Sequence, residues 1–306
     1  MTLAALLGLW LGTATSGDWG QYVVLPALLL MLTAVFVRMD ATHVGEVRSS
    51  LPLVASSLTL NFIVTPLLAW GLGVSLLAGQ PDLRIGLLLL LVTPCTDWYL
   101  VFTAMARGHT GIAAALLPVN LVLQLLLLPV YVLLLGGQAA AVDAATLVEA
   151  VVIVLGVPLV AALIVRWATS RADVHRPGSR ERVDALAGQV IVPALCLAVV
   201  AMFAWQAPVV AEHGAQIAAL LPPLLVFFVA LPLLATLTAR VLGLDGPQRV
   251  TLTMVVTARN SPIALAIAVV AFPHQPLIAV ALVVGPLIEL PILAVLSQVA
   301  RHRERS

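Results

Sequence analysis

An all-α polytopic membrane protein is the fold class this sequence predicts, and three observations predict it. Of the 306 residues 62% are hydrophobic and only 9% charged, with mean hydropathy +1.12, whereas a soluble globular domain is about a quarter charged. Apolar runs recur at the length of a bilayer span, roughly 20 residues. These runs are unbroken rather than alternating, which excludes a membrane barrel and leaves helices, the other structure that satisfies its own backbone in lipid. A net charge of +1 offers no surface for a polyanion, so no nucleic-acid partner is expected.

Nine segments qualify as spans: 21–37, 51–78, 85–106, 112–136, 146–165, 186–205, 215–239, 250–272 and 277–299. A tenth apolar stretch, 3–14, is short, and it lacks the positive flank of a signal peptide. It reads as a short first span, giving ten transmembrane helices, or nine if it does not cross. The 15 basic residues are all arginine. With the C-terminus in the cytoplasm, 13 of them fall on the cytoplasmic side, Arg84 falls outside and Arg259 lies within a span. Positive residues concentrate on the cytoplasmic face, so the sequence predicts a multi-pass protein of the plasma (inner) membrane with a cytoplasmic C-terminus.

The longest polar stretch, 166–185, divides the spans five and five. Phe62-Ile63-Val64-Thr65-Pro66-Leu67-Leu68-Ala69 in the third span has a counterpart 166 residues later, Phe228-Val229-Ala230-Leu231-Pro232-Leu233-Leu234-Ala235. Arg84, opening the fourth span, corresponds at nearly the same offset to Arg249, opening the ninth. The chain is therefore expected to be one transmembrane transporter domain, 1–306, built from two repeats, 1–137 and 138–306. With five spans per half, the second repeat must be inverted, a signature of secondary transporters.

Such transporters bind substrate near the midplane on helices broken at corresponding positions of the two halves. The candidates are the fourth and ninth helices. The fourth carries Thr93-Pro94-Cys95-Thr96-Asp97 and the ninth Ala258-Arg259-Asn260-Ser261-Pro262. Proline removes a backbone donor and clashes with the preceding turn, and at an offset of 165 Cys95-Thr96 align with Asn260-Ser261. Asp97, Arg259 and Glu289 are charges inside spans, where each costs roughly 2.5–3.5 kcal/mol on insertion scales. Asp97 and Arg259 are expected to pair where the two helices cross, either to neutralise one another or to couple transport to an ion. Glu289 lies in Gly285-Pro286-Leu287-Ile288-Glu289-Leu290-Pro291, which reads as another interrupted helix. Asn120 and Gln124, four residues apart, share one face of the fifth span, where amides serve either as bonds between helices or as part of a site.

Two cysteines, Cys95 and Cys196, cannot build a thiolate metal cluster, and all six histidines fall in loops or near span ends. No metal site and no cofactor are expected. No phosphate-cradling loop is present, so transport must be driven by a gradient or by a partner subunit. No nucleophile sits beside a histidine base, which argues against an enzyme.

Taken together these motifs make the chain resemble the arsenite permeases, the arsenical-resistance branch of the bile acid:sodium symporter superfamily. The resemblance is carried by Asn61-Phe62-Ile63-Val64-Thr65-Pro66 in the third span, Pro94-Cys95-Thr96 in the fourth, Asn120 and Gln124 in the fifth, Asn260-Ser261 and Leu265–Val269 in the ninth, and above all Gly285–Pro291. It implies ten spans, a core and a panel domain, and a crossover of the fourth and ninth helices. It also implies efflux of arsenite or antimonite by exchange with protons. Arsenite is an uncharged, thiophilic trihydroxide, and a soft thiol suits it. Cys95, Thr96, Asn260 and Ser261, with Asn120 and Gln124, are the expected substrate contacts. Asp97, Arg259 and Glu289 are the expected ion-coupling groups.

The chain also departs from the family pattern. Where the arsenite permeases tend to carry a glutamate after the ninth-helix break, this chain has Ala264, and Arg259 is an extra positive charge. Asp97 is then a candidate replacement for the missing carboxylate. Arg259 equally suits the alternative function, a sodium-coupled symporter of an organic anion.

Overall fold

The computed structural model describes residues 2–15, 17–38, 50–95, 98–136, 144–175 and 178–303. Among these residues the chain is helical throughout, in order α1 (Thr2–Ala14), α2 (Gly20–Arg38), α3 (Leu51–Thr59), α4 (Thr65–Leu76), α5 (Pro81–Val92), α6 (Trp98–Met105), α7 (Thr110–Leu135), α8 (Ala144–Val151), α9 (Val157–His175), α10 (Ser179–Trp205), α11 (Ala207–Glu212), α12 (Gly214–Ala218), α13 (Leu221–Val241), α14 (Gly246–Thr257), α15 (Ser261–Ala271) and α16 (Pro276–Arg303). π-helical turns at Leu60–Val64 and Val152–Gly156 join α3 to α4 and α8 to α9. Among the described residues seven helices are long and apolar enough to cross a membrane: Gly20–Arg38, Leu51–Leu76, Thr110–Leu135, Ala145–Arg171, Ser179–Trp205, Gly214–Val241 and Pro276–Arg301. The predicted fourth and ninth spans are each divided in two, as α5/α6 and α14/α15.

Local chemistry explains the helix starts. Proline opens α3, α5, α13 and α14, where its missing N–H costs nothing. Asp245 and Gln248 close a reciprocal capping box on α14: each side chain bonds the other's backbone N–H. Many large apolar side chains remain exposed on the long helices, among them Ile63, Leu67, Val160, Leu163, Ile164, Leu233 and Leu237. An apolar exterior of this extent fits contact with lipid.

One expectation needs correction. The Gly285–Pro291 stretch is not an interruption, because α16 runs unbroken from Pro276 to Arg303 with Pro286 and Pro291 inside it. Prolines are tolerated in such helices when neighbours re-satisfy the freed carbonyls. The polar stretch 166–185 is largely helical: α9 continues to His175 and α10 begins at Ser179. Its Arg, Ala and Glu residues are good helix formers once clear of lipid.

The chain forms two compact units. The first comprises Met1–Met39, Val142–Gly214 and Pro262–Val280, and the second Asp40–Ala141, Ala215–Ser261 and Ala281–Ser306. In the first unit α10 packs against α2, α1 and α9. The α1–α10 seam is built on small residues. A methyl group on Gly8 would lie 2.5 Å from Val200 O, and one on Gly12 2.4 Å from Ala204 O. Close backbone approach over small residues is a common way for membrane helices to associate. In the second unit α13 packs on α14 and α4, α5 packs on α4 and α7, and α14 also contacts α3, α6 and α7.

Candidate functional site

The candidate site lies within the second unit, where the break after α5 meets the break after α14. Pro94 and Arg259 form an isolated antiparallel bridge. The N–H of Cys95 donates to Ala258 O at 3.0 Å, and the N–H of Asn260 donates to Thr93 O at 2.7 Å. Each break thus supplies a partner for a backbone group that the other would leave orphaned, a condition that irregular backbone must meet away from water. Both strands of the bridge are buried, including Thr93, Cys95, Ala258, Arg259, Asn260 and Ser261. The Thr93 hydroxyl donates back to Leu89 O at 3.0 Å, and that of Ser261 donates to Leu282 O, tying the second break to α16.

Arg259 organises this crossing. Its Nη1 donates to Leu91 O at 2.7 Å, in the last turn of α5. Its Nη2 donates to Val256 O, in the last turn of α14, and to Asn61 Oδ1 at 2.8 Å on the π-helical turn. Its Nε reaches Thr257 O at 3.4 Å. The guanidinium carbon stands 5.4 Å from the ring centre of Phe227, within range of a cation–π contact. The cation therefore caps the C-terminal ends of two half-helices, where the helix dipole is negative. The Glu289 carboxylate meets this residue at the backbone: the N–H of Arg259 donates to its Oε1 at 2.9 Å.

Of the residues expected from sequence, the structure gathers Cys95, Arg259, Asn260, Ser261 and Glu289 around this crossing. Thr96 and Asp97 lie outside the described residues, and so does the expected Asp97–Arg259 pair. Asn120 and Gln124 are buried on α7, and neither amide has a hydrogen-bond partner among the described residues. Helix α7 packs against α5, α6, α14 and the Leu60–Val64 turn, which are the elements surrounding the crossing. An amide that bonded a neighbouring helix would not be left so, and an unsatisfied buried polar group costs about 1–3 kcal/mol. Cys196 lies in the first unit.

Asn61 is a site residue that the sequence does not single out: there it stands only within the Asn61–Pro66 motif. The available signal was that Asn61 is the lone amide of the third span. Nothing in the sequence marks the π-helical turn that carries it, although such turns recur at functional sites. A cleft of about 200 Å3 between α13, α14 and α16 is lined by Thr236, Arg249, Val250, Thr253 and Val299. It lies toward the N-terminal end of α14, whereas the crossing is at that helix's C-terminal end.

Paired breaks held backbone to backbone, within a bundle of lipid-length helices, define the class of multi-pass membrane transporters. The chain belongs to the Sodium Bile acid symporter family, whose pattern matches residues 25–219. It is 26% identical over 266 residues to the arsenical-resistance protein Acr3 of Corynebacterium glutamicum, covering 79% of this chain and 71% of that protein. It is also 30% identical over 108 residues to the uncharacterized protein YbaS of Bacillus subtilis, covering 35% of each. The chain is thus a transporter, not an enzyme.

Proposed function

We propose that the chain is a secondary transporter of the plasma membrane that exports arsenite or antimonite in exchange for protons by alternating access. The observation carrying this reading is the buried thiol of Cys95 at the crossing, in a chain resembling an arsenical-resistance protein along most of its length. Arsenite would condense reversibly with the thiol. One As–O bond breaks, an As–S bond forms, and the thiol proton leaves with the hydroxide as water. No electrons change hands, and a single sulfur lets the metalloid go where two would hold it. Thr96, Asn260, Ser261, Asn120 and Gln124 would hydrogen-bond the remaining hydroxyls. Asp97 and Glu289 are the carboxyls available to carry the exchanged proton.

The backbone bonds of the crossing support a ten-span, two-repeat architecture. A shift of 165 residues carries Thr93 to Ala258, Pro94 to Arg259 and Cys95 to Asn260. The two hydrogen bonds, Cys95 to Ala258 and Asn260 to Thr93, exchange with each other under that shift. The same shift carries Gln124 to Glu289. Glu289 accepts the N–H of Arg259, whereas the residue matching Arg259 is Pro94, which has no N–H. Gln124 therefore lacks the partner that its counterpart enjoys, and its amide is left for a ligand.

The alternative, sodium-coupled uptake of an organic anion, drew on Arg259 as an anion receptor. Its guanidinium is committed to four protein oxygens, which leaves little of it to offer a substrate. The deciding experiment is survival of an arsenite-hypersensitive host carrying wild type or Cys95→Ser. Wild type should protect and Cys95→Ser should not. Absence of protection by wild type would sink the substrate, and equal protection by both would remove the thiol from the mechanism.

A further inference from the structure

We propose that the guanidinium of Arg259 is a tethered cation occupying the place a coupling sodium ion would take, so that this member of a sodium symporter family neither binds nor uses sodium at the crossing. The inference rests on reading the crossing as the transport site, but not on which substrate passes through it.

Consider what surrounds the positive charge. Its acceptors are Leu91 O at the end of α5, Val256 O and Thr257 O at the end of α14, and Asn61 Oδ1 from the π-helical turn. All are oxygens, they come from three separate segments, and the residues bearing the charge, the amide and the nearby Glu289 carboxylate are buried. In transporters with discontinuous helices, unwound carbonyls and half-helix C-terminal ends are the groups that coordinate sodium or protons. Such ends carry a partial negative charge of roughly half a unit each. Two of them converging would repel one another without a cation between them. Here the cation is covalently part of the chain, so the requirement is met in every transport state and at every sodium concentration.

Two further features fit. The repeat-related residue is Pro94, which contributes no charge, so the cation is supplied once rather than twice. Glu289 bonds the backbone N–H of the same residue at 2.9 Å, fixing the main chain from which the guanidinium projects. Removing the side chain at Arg259 would take a donor from four buried oxygens. A small cation of the right size could then enter and restore them.

The test uses the purified full chain in detergent, without substrate, and reads the thermal unfolding midpoint. Sodium, potassium, choline and guanidinium chlorides are compared at matched ionic strength. Wild type should show no sodium-specific shift. Arg259→Ala should melt several degrees lower in choline and recover most of that loss in millimolar guanidinium or sodium. Arg259→Gln, which keeps a polar amide donor but not the charge, should gain a sodium response if Arg259→Ala proves too unstable to purify. A saturable sodium shift in wild type overturns the proposal, as does a folded Arg259→Ala or Arg259→Gln that ignores every small cation. Because no metalloid is present, this readout stands or falls separately from the host-survival assay that tests the substrate.

Discussion

Glu289 holds Arg259 by its backbone: the N–H of Arg259 donates to Glu289 Oε1 at 2.9 Å, across 30 residues of sequence. The carboxylate therefore acts on the shape of the broken helix, while the guanidinium of Arg259 is directed at main-chain carbonyls and at Asn61. A glutamine at position 289 would keep an acceptor oxygen in place, and a leucine would not. Glu289→Gln should lower stability by less than about 1 kcal/mol, whereas Glu289→Leu should cost about 1–3 kcal/mol, the penalty for a buried donor left unpaired. Detergent-solubilised unfolding midpoints of the two variants measure the difference. Equal losses in both would mean that the charge, not the acceptor, supports the break.

Among the described residues Asn61 offers the one side-chain oxygen among the guanidinium's hydrogen-bond acceptors. Asn61→Leu should destabilise by about 1.5–3 kcal/mol, because hydrogen bonds to charged groups are worth that much. Asn61→Asp retains the oxygen and adds a compensating charge, so it should remain within about 1 kcal/mol of wild type. A double-mutant cycle with Arg259→Gln isolates the coupling. Additive losses would show that the two residues do not act on one another.

The positions of both breaks were legible in the sequence. Each is marked by a short polar cluster and a proline inside an apolar run, at Thr93–Pro94 and at Asn260–Pro262. The destination of Arg259 was not. The bonds that Arg259 makes to Leu91, Val256 and Thr257 end on main-chain oxygens. Every residue carries such an oxygen, so no letter of the sequence distinguishes those three. The continuity of α16 through Pro286 and Pro291 was equally hidden, because whether a proline interrupts a membrane helix depends on what its neighbours supply.

The seam between α1 and α10 yields a prediction about assembly. A methyl on Gly12 would sit 2.4 Å from Ala204 O and 2.6 Å from Ala207 Cβ. Main-chain atoms cannot swing aside as a side chain can, so Gly12→Ala must push the helices apart and lose packing along the seam. A loss of about 1–3 kcal/mol is expected, as for other overpacked interiors. Gly71 in α4 is the control, since a methyl there meets nothing within 4 Å. Gly71→Ala should be neutral or stabilising by up to about 1 kcal/mol, the usual gain of alanine over glycine in a helix. Unfolding midpoints of the two variants, made in parallel, test the contrast; a harmless Gly12→Ala would mean that the helices do not approach this closely.

Asn120 and Gln124 give the sharpest separation of stability from function. Both amides are buried and neither has a partner among the described residues. If they serve only the fold, they serve it badly. Replacing them with leucine removes an unsatisfied group and adds apolar contact, which is close to neutral or stabilising when no partner is orphaned. Asn120→Leu and Gln124→Leu should therefore match or exceed the wild-type unfolding midpoint. Each should nevertheless abolish protection of an arsenite-hypersensitive host, because a ligand hydroxyl would lose the amide that receives it. Such a trade of activity against stability is expected where a site is kept polar for its substrate. Leucine variants that protect as well as wild type would remove α7 from the substrate path. Variants that lose stability and protection together would show that the amides bond the protein itself.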